Sequence, residues 1–334
     1  MSLSKLDIHC DITQATTLPS WVYRDSQAFD SQRQSVFARS WQLVGDASQV
    51  RVPGQVQPFT LLEGCLDEPL LLTRDFDDRL HCISNVCTHR GAIVCEGPGV
   101  ERHLRCRYHG RRFALNGRFE SMPEFEQAKG FPSDADHLRE VSLAQWGPML
   151  FASLNPSVPL DVLIAPMKQR LAWLPLDQFQ FDPSRSRDYL IRCNWALYCD
   201  NYLEGFHIPF VHAGLNEKLD YGNYRTELFE WCNLQLGVAS EADGCFDLPK
   251  SSPDFGQHIA AYYWWVFPNT MFNFYPWGLS VNIVRPLAVD RTRVSYLTWV
   301  WDESKLDQGA GVNLDRVERE DEAVVESVQR GVQS

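Results

Sequence analysis

No part of this chain stays apolar for long. Its longest strongly apolar run, 260–267, spans eight residues, far short of the roughly 20 that a membrane-crossing helix needs. The opening Met-Ser-Leu-Ser-Lys-Leu-Asp-Ile-His has no apolar core of export-signal length. A soluble, cytoplasmic protein with no membrane partner is expected. Surplus positive charge is missing too, with 31 Lys and Arg against 43 Asp and Glu for a formal charge of −12. Phosphate backbones require clustered basic residues, so nucleic acid is not an expected partner either. The chain contains no repeats and no low-complexity tract. Cysteine, by contrast, is plentiful at ten, but a long chain without an export signal favours reduced thiols. Cys10, Cys65, Cys82, Cys95, Cys193, Cys199, Cys232 and Cys245 sit among apolar neighbours and read as small buried residues.

An apolar fraction of 44% with 22% charged is too high for disorder, and 334 residues suffice for two domains with a core each. Residues 26–41 place Phe29, Val36, Phe37 and Trp41 near helical spacing, predicting a helix within an N-terminal extension over 1–41. Over 42–155, short apolar runs such as 69–73 and 80–86 are divided by Gly and Asp turns, the pattern of a small all-β domain. Asn155-Pro-Ser-Val-Pro159 reads as a linker. The remainder, 156–334, mixes helical segments at 162–171, 194–206 and 314–332 with strands at 259–266, 271–275, 279–284 and 294–301. That makes the fold class α+β. Turn-forming breaks at Pro268-Asn-Thr and Asp290-Arg-Thr predict a largely antiparallel sheet.

Inside the all-β domain, Cys87-Thr-His89 and Cys106-Arg-Tyr-His109 are separated by sixteen residues. Each arm offers one thiol and one imidazole. A Rieske [2Fe–2S] centre holds one iron by two thiolates and the other by two histidines, and two such arms supply that set. Zinc fingers instead pair Cys with Cys and His with His along the chain; zinc and chance spacing remain as alternatives.

A second constellation is Asn201-Tyr-Leu-Glu204-Gly-Phe-His207-Ile-Pro209-Phe-Val-His212. Histidines five apart lie about 140° apart around an ideal helix. Pro209 kinks or ends the helix and frees His212 to turn back toward His207; otherwise the two are unrelated core histidines. A carboxylate would complete the facial triad that leaves positions open for O2 on non-haem Fe(II). In the last helix Val317, Val324, Val325, Val328 and Val332 share one side. Asp321 falls about 40° from Val317, near the middle of that stripe, while Glu318, Glu320 and Glu322 fall off it. An inward carboxylate needs a metal, an arginine or a proton to offset it, unless helix amides satisfy it. Glu204, one turn before His207, could accept that residue's second ring N–H or face solvent.

Together with Glu320-Asp321-Glu322-Ala-Val-Val-Glu-Ser-Val-Gln-Arg-Gly331, these motifs resemble the oxygenase α subunits of the Rieske non-haem iron oxygenases. The chain is most similar to the choline, glycine betaine and carnitine monooxygenase branch, and the likeness covers nearly its whole length. The resemblance implies a Rieske β domain followed by a START-like helix-grip catalytic domain. Cys87 and Cys106 would hold one iron of the [2Fe–2S] cluster and His89 and His109 the other. His207, His212 and Asp321 would hold a mononuclear Fe(II). Glu204 would pass an electron from the cluster of one subunit to the iron of its neighbour within a homotrimer, so that a lone subunit is inactive. The implied partners are an NAD(P)H-dependent reductase, with or without a ferredoxin, and O2 with a small organic substrate to be hydroxylated or oxidatively demethylated. One departure stands out. Many members read Tyr-His-Gly-Trp, whereas this chain has Tyr108-His109-Gly110-Arg111, which alters packing beside the cluster or docking of the electron donor.

The substrate is harder to read. Tyr262, Tyr263, Trp264, Trp265, Phe267, Phe272, Phe274, Tyr275 and Trp277 crowd one hairpin, and an aromatic cage there would bind a quaternary ammonium. Strand alternation sends half of these rings into ordinary core. The same rings would also floor a pocket for an aromatic or heterocyclic substrate. A Rieske electron carrier without a second iron is the reading from a different class.

Overall fold

A computed structural model describes residues 6–9, 11–306 and 308–334; Cys10 lies outside them. The chain divides into two compact units, one of 38–157 and one of 1–37 with 158–334.

Two helices open the chain, α1 (Trp21–Arg24) and α2 (Ser26–Ser35). Asp25 caps α2 by accepting from the amides of Gln27 and Ala28. The single helix expected over 26–41 ends at Ser35 and gives way to one 3-10 turn, Phe37–Arg39. Its apolar positions serve two different cores, which is why it does not continue. Phe29 and Phe37 are buried in the larger unit, Phe37 edge-on to Trp195 at 4.9 Å, whereas Trp41 is buried in the smaller one.

The smaller unit is antiparallel β throughout. Its strands are β1 (Gln42–Asp46), β2 (Gln55–Leu61), β3 (Glu68–Arg74), β4 (Leu80–Ser84), β5 (Gly99–Val100), β6 (Leu104–Arg105), β7 (Arg112–Phe113), β8 (Phe119–Ser121), β9 (Ser142–Trp146) and β10 (Met149–Ser153). They form three sheets, ordered β1-β10-β9, β4-β3-β2-β5 and β6-β7-β8. Leu70, Leu71 and Leu72 are all buried. β3 is thus covered on both faces, which explains a continuous apolar run where a half-exposed strand would alternate. Ile83, Leu104 and Phe113 share a core with Cys87 and Cys106.

The larger unit contains α3 (Leu160–Leu163), α4 (Ala165–Arg170), β11 (Gln180–Phe181), β12 (Arg187–Ile191), α5 (Trp195–Tyr202), α6 (Ile208–Val211), α7 (Ala213–Asn216), β13 (Arg225–Leu228), β14 (Cys232–Val238), β15 (Ile259–Val266), β16 (Thr270–Tyr275), β17 (Gly278–Ala288), β18 (Arg291–Val300) and α8 (Leu314–Gly331). The helix expected over 162–171 is two, because Pro166 has no amide to carry α3 onward and instead starts α4. Seven strands run in the order β11-β18-β17-β16-β15-β14-β13, with β12 as an eighth paired to β18, all antiparallel. Strands β12, β13 and β14 escaped the sequence reading. Charges at Arg187, Asp188, Arg225 and Glu227 and amides at Asn233 and Gln235 interrupt their apolar pattern.

The inward face of α8 also differs from expectation. Glu318, Val325 and Gln329 are its buried residues, and Val328 is exposed. These three cluster about 100° around the helix from Val317, so the inward direction runs through Glu318 and Asp321 lies about 60° to one side of it. Hydroxyl donors explain the shift: Tyr198 on α5 and Tyr296 on β18 both donate to Glu318 Oε2, so this carboxyl is buried although the valine pattern places it off the inward face.

Candidate metal centres and substrate pocket

The two Cys/His arms form matching loops. The Cys87 amide donates to the Ala92 carbonyl at 2.8 Å, and the Cys87 carbonyl accepts from Gly91 at 2.9 Å. At the same offsets, the Cys106 amide donates to the Arg111 carbonyl at 2.9 Å and its carbonyl accepts from Gly110 at 3.0 Å. Both closing glycines have positive φ, +71° and +74°, a conformation that side chains with a Cβ rarely take. Both sulfurs are buried, whereas the two imidazoles are more exposed, with Nδ1 of His89 and Nδ1 of His109 3.1 Å apart. Burial pushes the Cys87 thiol above its ordinary value. Two thiols inside and two facing imidazoles outside fit a cluster held by a thiolate pair and a histidine pair. A single zinc ion would draw all four donors to one point. Among the described residues, the one set of three or more donors that converges so closely lies elsewhere.

That set is His207, His212 and Asp321, whose ligand atoms all lie within 4.8 Å of one another. Local structure puts them there in an unforeseen way. Helix α5 has already ended at Tyr202, and the histidines are the two caps of the one-turn helix α6. Pro209 therefore begins a helix instead of kinking or ending one, and the rings meet with centroids 5.1 Å apart. Asp321 Oδ1 lies 3.0 Å from His212 Nε2 and 3.7 Å from His207 Nε2. Each imidazole has a carboxylate behind it, Glu204 Oε1 at 2.8 Å from His207 Nδ1 and Glu320 Oε2 at 2.9 Å from His212 Nδ1. Such partners fix the tautomer and aim both Nε2 atoms at one point. Burial works to lower the His212 pKa, but Asp321 and Glu320 hold it above its ordinary value. Asn201 Nδ2 donates to Asp321 Oδ1 at 2.8 Å. Two imidazoles and one carboxylate are the donor set of mononuclear non-haem iron.

A cavity of about 90 Å³ opens onto this triad. Six tyrosines line it, Tyr198, Tyr202, Tyr224, Tyr263, Tyr275 and Tyr296, with the amides Asn201, Gln235, Asn273 and Asn282. Tyr202 donates to Asn273 Oδ1 at 2.7 Å and Tyr224 to Gln235 Oε1 at 3.0 Å. Of the nine aromatics crowding the β15–β16 hairpin, only Tyr263 and Tyr275 reach the cavity. Tyr262, Trp264, Phe272 and Phe274 are wholly buried and point the other way, as alternation requires. The other four tyrosines are scattered over α5, β18 and the segment before β13; Tyr202 and Glu320 stand inside the quoted motifs without a role of their own there, and Tyr198, Tyr224 and Tyr296 carry no recognisable sequence signal.

Comparison with known proteins decides the family. The chain is 31% identical over 351 residues to the chloroplastic choline monooxygenase of Arabidopsis thaliana, covering 99% of this chain and 80% of that protein. It belongs to the Rieske non-haem iron oxygenases. Residues 40–132 match the Rieske [2Fe-2S] domain and residues 176–334 the ring hydroxylating alpha subunit (catalytic domain). The carnitine monooxygenase oxygenase subunit of Escherichia coli K12 is 26% identical over 96% of this chain and 85% of its own length. Among solved structures, the quaternary ammonium Rieske monooxygenase CntA superposes with a TM-score of 0.77 at 23% identity, covering 96% of this chain and 86% of that one. Naphthalene 1,2-dioxygenase from Rhodococcus reaches 0.74 at 20%, covering 95% and 83%; at these identities the likeness is one of fold. As a member of this family the chain is an oxidoreductase, the terminal oxygenase component, with a Rieske cluster and a mononuclear iron. Rieske oxygenases draw electrons from reductase or ferredoxin partners and form multimers. No helix among the described residues is long and apolar enough to cross a membrane.

Proposed function

We propose that this oxygenase acts on a small quaternary amine of the choline type, a cation without a carboxylate. The pocket carries the reading: six tyrosines and four amides converge on the triad, and no lysine or arginine among the described residues lines it. Ring faces attract a quaternary ammonium by about 0.5 to 2 kcal/mol per contact, and a carboxylate would find no counter-ion. The names of two relatives, choline monooxygenase and carnitine monooxygenase, support a quaternary amine, and of the two compounds choline is the one without a carboxylate. A hydrocarbon ring would leave the buried Tyr263 hydroxyl, which has no well-formed hydrogen bond among the described residues, without a partner at a cost of about 1 to 3 kcal/mol, whereas the hydroxyl of a choline-type substrate can meet it; this disfavours the ring-hydroxylating alternative. An electron carrier without a second iron gives no account of the triad.

In this reading Cys87, His89, Cys106 and His109 hold the cluster, and His207, His212 and Asp321 hold the iron. The bound iron supplies the O2 chemistry that no side chain can perform. The chain's own residues do the positioning. Glu204 and Glu320 keep both Nε2 lone pairs aimed at the metal, and Asn201 orients the Asp321 carboxylate. Glu318 holds the Tyr198 and Tyr296 rings against the pocket. Burial keeps all six tyrosine hydroxyls protonated by driving them above their ordinary range. Tyr263 Oη has no well-formed hydrogen bond among the described residues, although Tyr275 interacts with it; it is placed to meet a substrate hydroxyl. Glu204, with 33% of its side chain exposed, is the point where an electron from a neighbouring subunit's cluster enters. The assembly is a cytoplasmic homotrimer fed by an NAD(P)H-dependent reductase, with or without a ferredoxin.

The test is substrate-stimulated NADH oxidation and O2 uptake by the iron-loaded protein with a compatible reductase. Choline, carnitine, glycine betaine, a neutral tert-butyl isostere of choline and aromatic acids form the panel. Choline should stimulate most and the isostere little. Stimulation by aromatic acids alone would reject the amine reading.

A further inference from the structure

Arg111 closes the second ligand loop with its backbone and encloses its charge in the fold. Only 3% of its side chain is exposed. The rings of Phe113, Phe119 and Phe131 surround the guanidinium carbon at 5.8, 4.9 and 5.5 Å from their centroids. Among the described residues, the one anion paired with it is Asp136, which accepts from Nη2 through its carboxylate and, at 3.3 Å, through its backbone carbonyl. That carbonyl also accepts from Thr88 Oγ1 at 2.9 Å, and Thr88 stands between Cys87 and His89. Arg111 is therefore tied to both ligand arms, to one through its own carbonyl and to the other through Asp136 and Thr88. Its Nε is buried without a hydrogen-bond partner among the described residues. A buried, incompletely bonded cation is costly, and an apolar side chain could fill the space between three phenylalanines without that cost.

The charge has a consequence for electron transfer. Reducing the cluster adds one negative charge, and a cation held nearby in a poorly solvated setting favours the reduced form over the oxidised one. Net charge and hydrogen bonding around a cluster are among the levers that set its potential. The charge sits beside the ligands, since Arg111 follows His109 by two residues and its Nη2 shares the Asp136 carbonyl with Thr88, between Cys87 and His89. Asp136 offsets only part of it, being 18% exposed and so better screened by water. We propose that Arg111 is a redox-tuning residue, whose guanidinium, fixed between the two ligand arms, holds the cluster's midpoint potential above the value that the same four ligands would give without it. This rests on Cys87, His89, Cys106 and His109 being the ligands.

The experiment is potentiometric titration of the cluster, followed by its electron paramagnetic resonance signal, on full-length loaded protein, with acid-labile sulfide measured on each sample. Arg111→Met should keep its sulfide and shift the midpoint downward. Arg111→Lys, which retains the charge, should stay closer to the parent, whereas a mere packing role would make the two variants alike. Asp136→Asn removes the opposing charge and should shift the midpoint upward. An unchanged midpoint in sulfide-replete Arg111→Met overturns the proposal. If that variant fails to hold a cluster, Asp136→Asn decides, and an unchanged or lowered midpoint there overturns it. Absence of sulfide and of a Rieske signal from the parent protein would instead overturn the ligand reading beneath it.

Discussion

Glu318→Gln tests the physics of the catalytic unit's interior. Glu318 is fully buried, with Oε2 receiving the Tyr198 and Tyr296 hydroxyls and Oε1 lacking a hydrogen-bond partner among the described residues. Burial is the main reason its carboxyl is pushed up to about 8; Asp321 raises it further, while the two hydroxyls oppose. In an unfolded chain a glutamate ionises near 4.3. Between those two values the folded chain binds one proton more than the unfolded chain, so stability is fully present below the unfolded value and is lost as pH rises through the folded one. One proton corresponds to on the order of 1 kcal/mol per pH unit, and thus to several kcal/mol across the window. Glutamine keeps an acceptor for both hydroxyls and has no proton to lose. Urea midpoints of the iron-free protein, measured from mildly acidic to mildly alkaline pH, should fall in the parent and fall less in Glu318→Gln. Infrared difference spectra should show a protonated carboxyl band that vanishes with rising pH in the parent and is absent from the variant. Iron bound at Asp321 offsets the neighbouring negative charge, so loading should move this titration to lower pH. Parallel stability slopes in parent and variant, with no such band, would refute the reasoning.

His207→Ala should retain the cluster spectrum and about two irons per chain while losing O2 uptake; retention of a third iron by metal analysis would contradict the triad. Glu204→Gln removes the anionic acceptor behind His207, and titration of the iron-free protein should show metal affinity reduced about 10 to 100-fold, with turnover reduced as well. Gly278→Ala drives a Cβ into the Trp299 carbonyl at a φ of +149°. Strain of that kind costs on the order of 1 to 3 kcal/mol, so thermal unfolding should come several degrees earlier, and an unchanged melting temperature would show that the backbone can relax there.

The chemistry of this chain was legible wherever it is written in local spacing. Cys87 to His89, Cys106 to His109 and His207 to His212 are each short segments whose donors cannot drift far apart, so the ligand types alone pointed to iron. Asp321 was harder, being more than a hundred residues away. The structure brings it to the histidines, yet the valine stripe used to find it does not mark the inward face. Glu318 shows why: a carboxyl becomes core when distant hydroxyls meet it, and no single-helix pattern records a donor on another strand. The substrate pocket was illegible for the same reason. Tyr198, Tyr224 and Tyr296 become neighbours only through the sheet, while the conspicuous Trp264 and Phe272 turn out to be packing. Sheet edges were missed where charge interrupts alternation, at Arg187–Ile191 and Arg225–Leu228.

The paired glycine-closed loops around Cys87 and Cys106 make each arm self-contained. The backbone bonds that close each arm fall within six consecutive residues, and of the stretch joining them Val94 and Leu104 pack beside the two cysteines while 96–98 and 101–103 are exposed. Insertions in the exposed turns at 96–98 and 101–103 should therefore be tolerated, because lengthening a connection costs little entropy once its ends are pinned. Sequence drift there can remodel the surface around the histidines, and with it the choice of electron donor, while the inorganic core stays as it is.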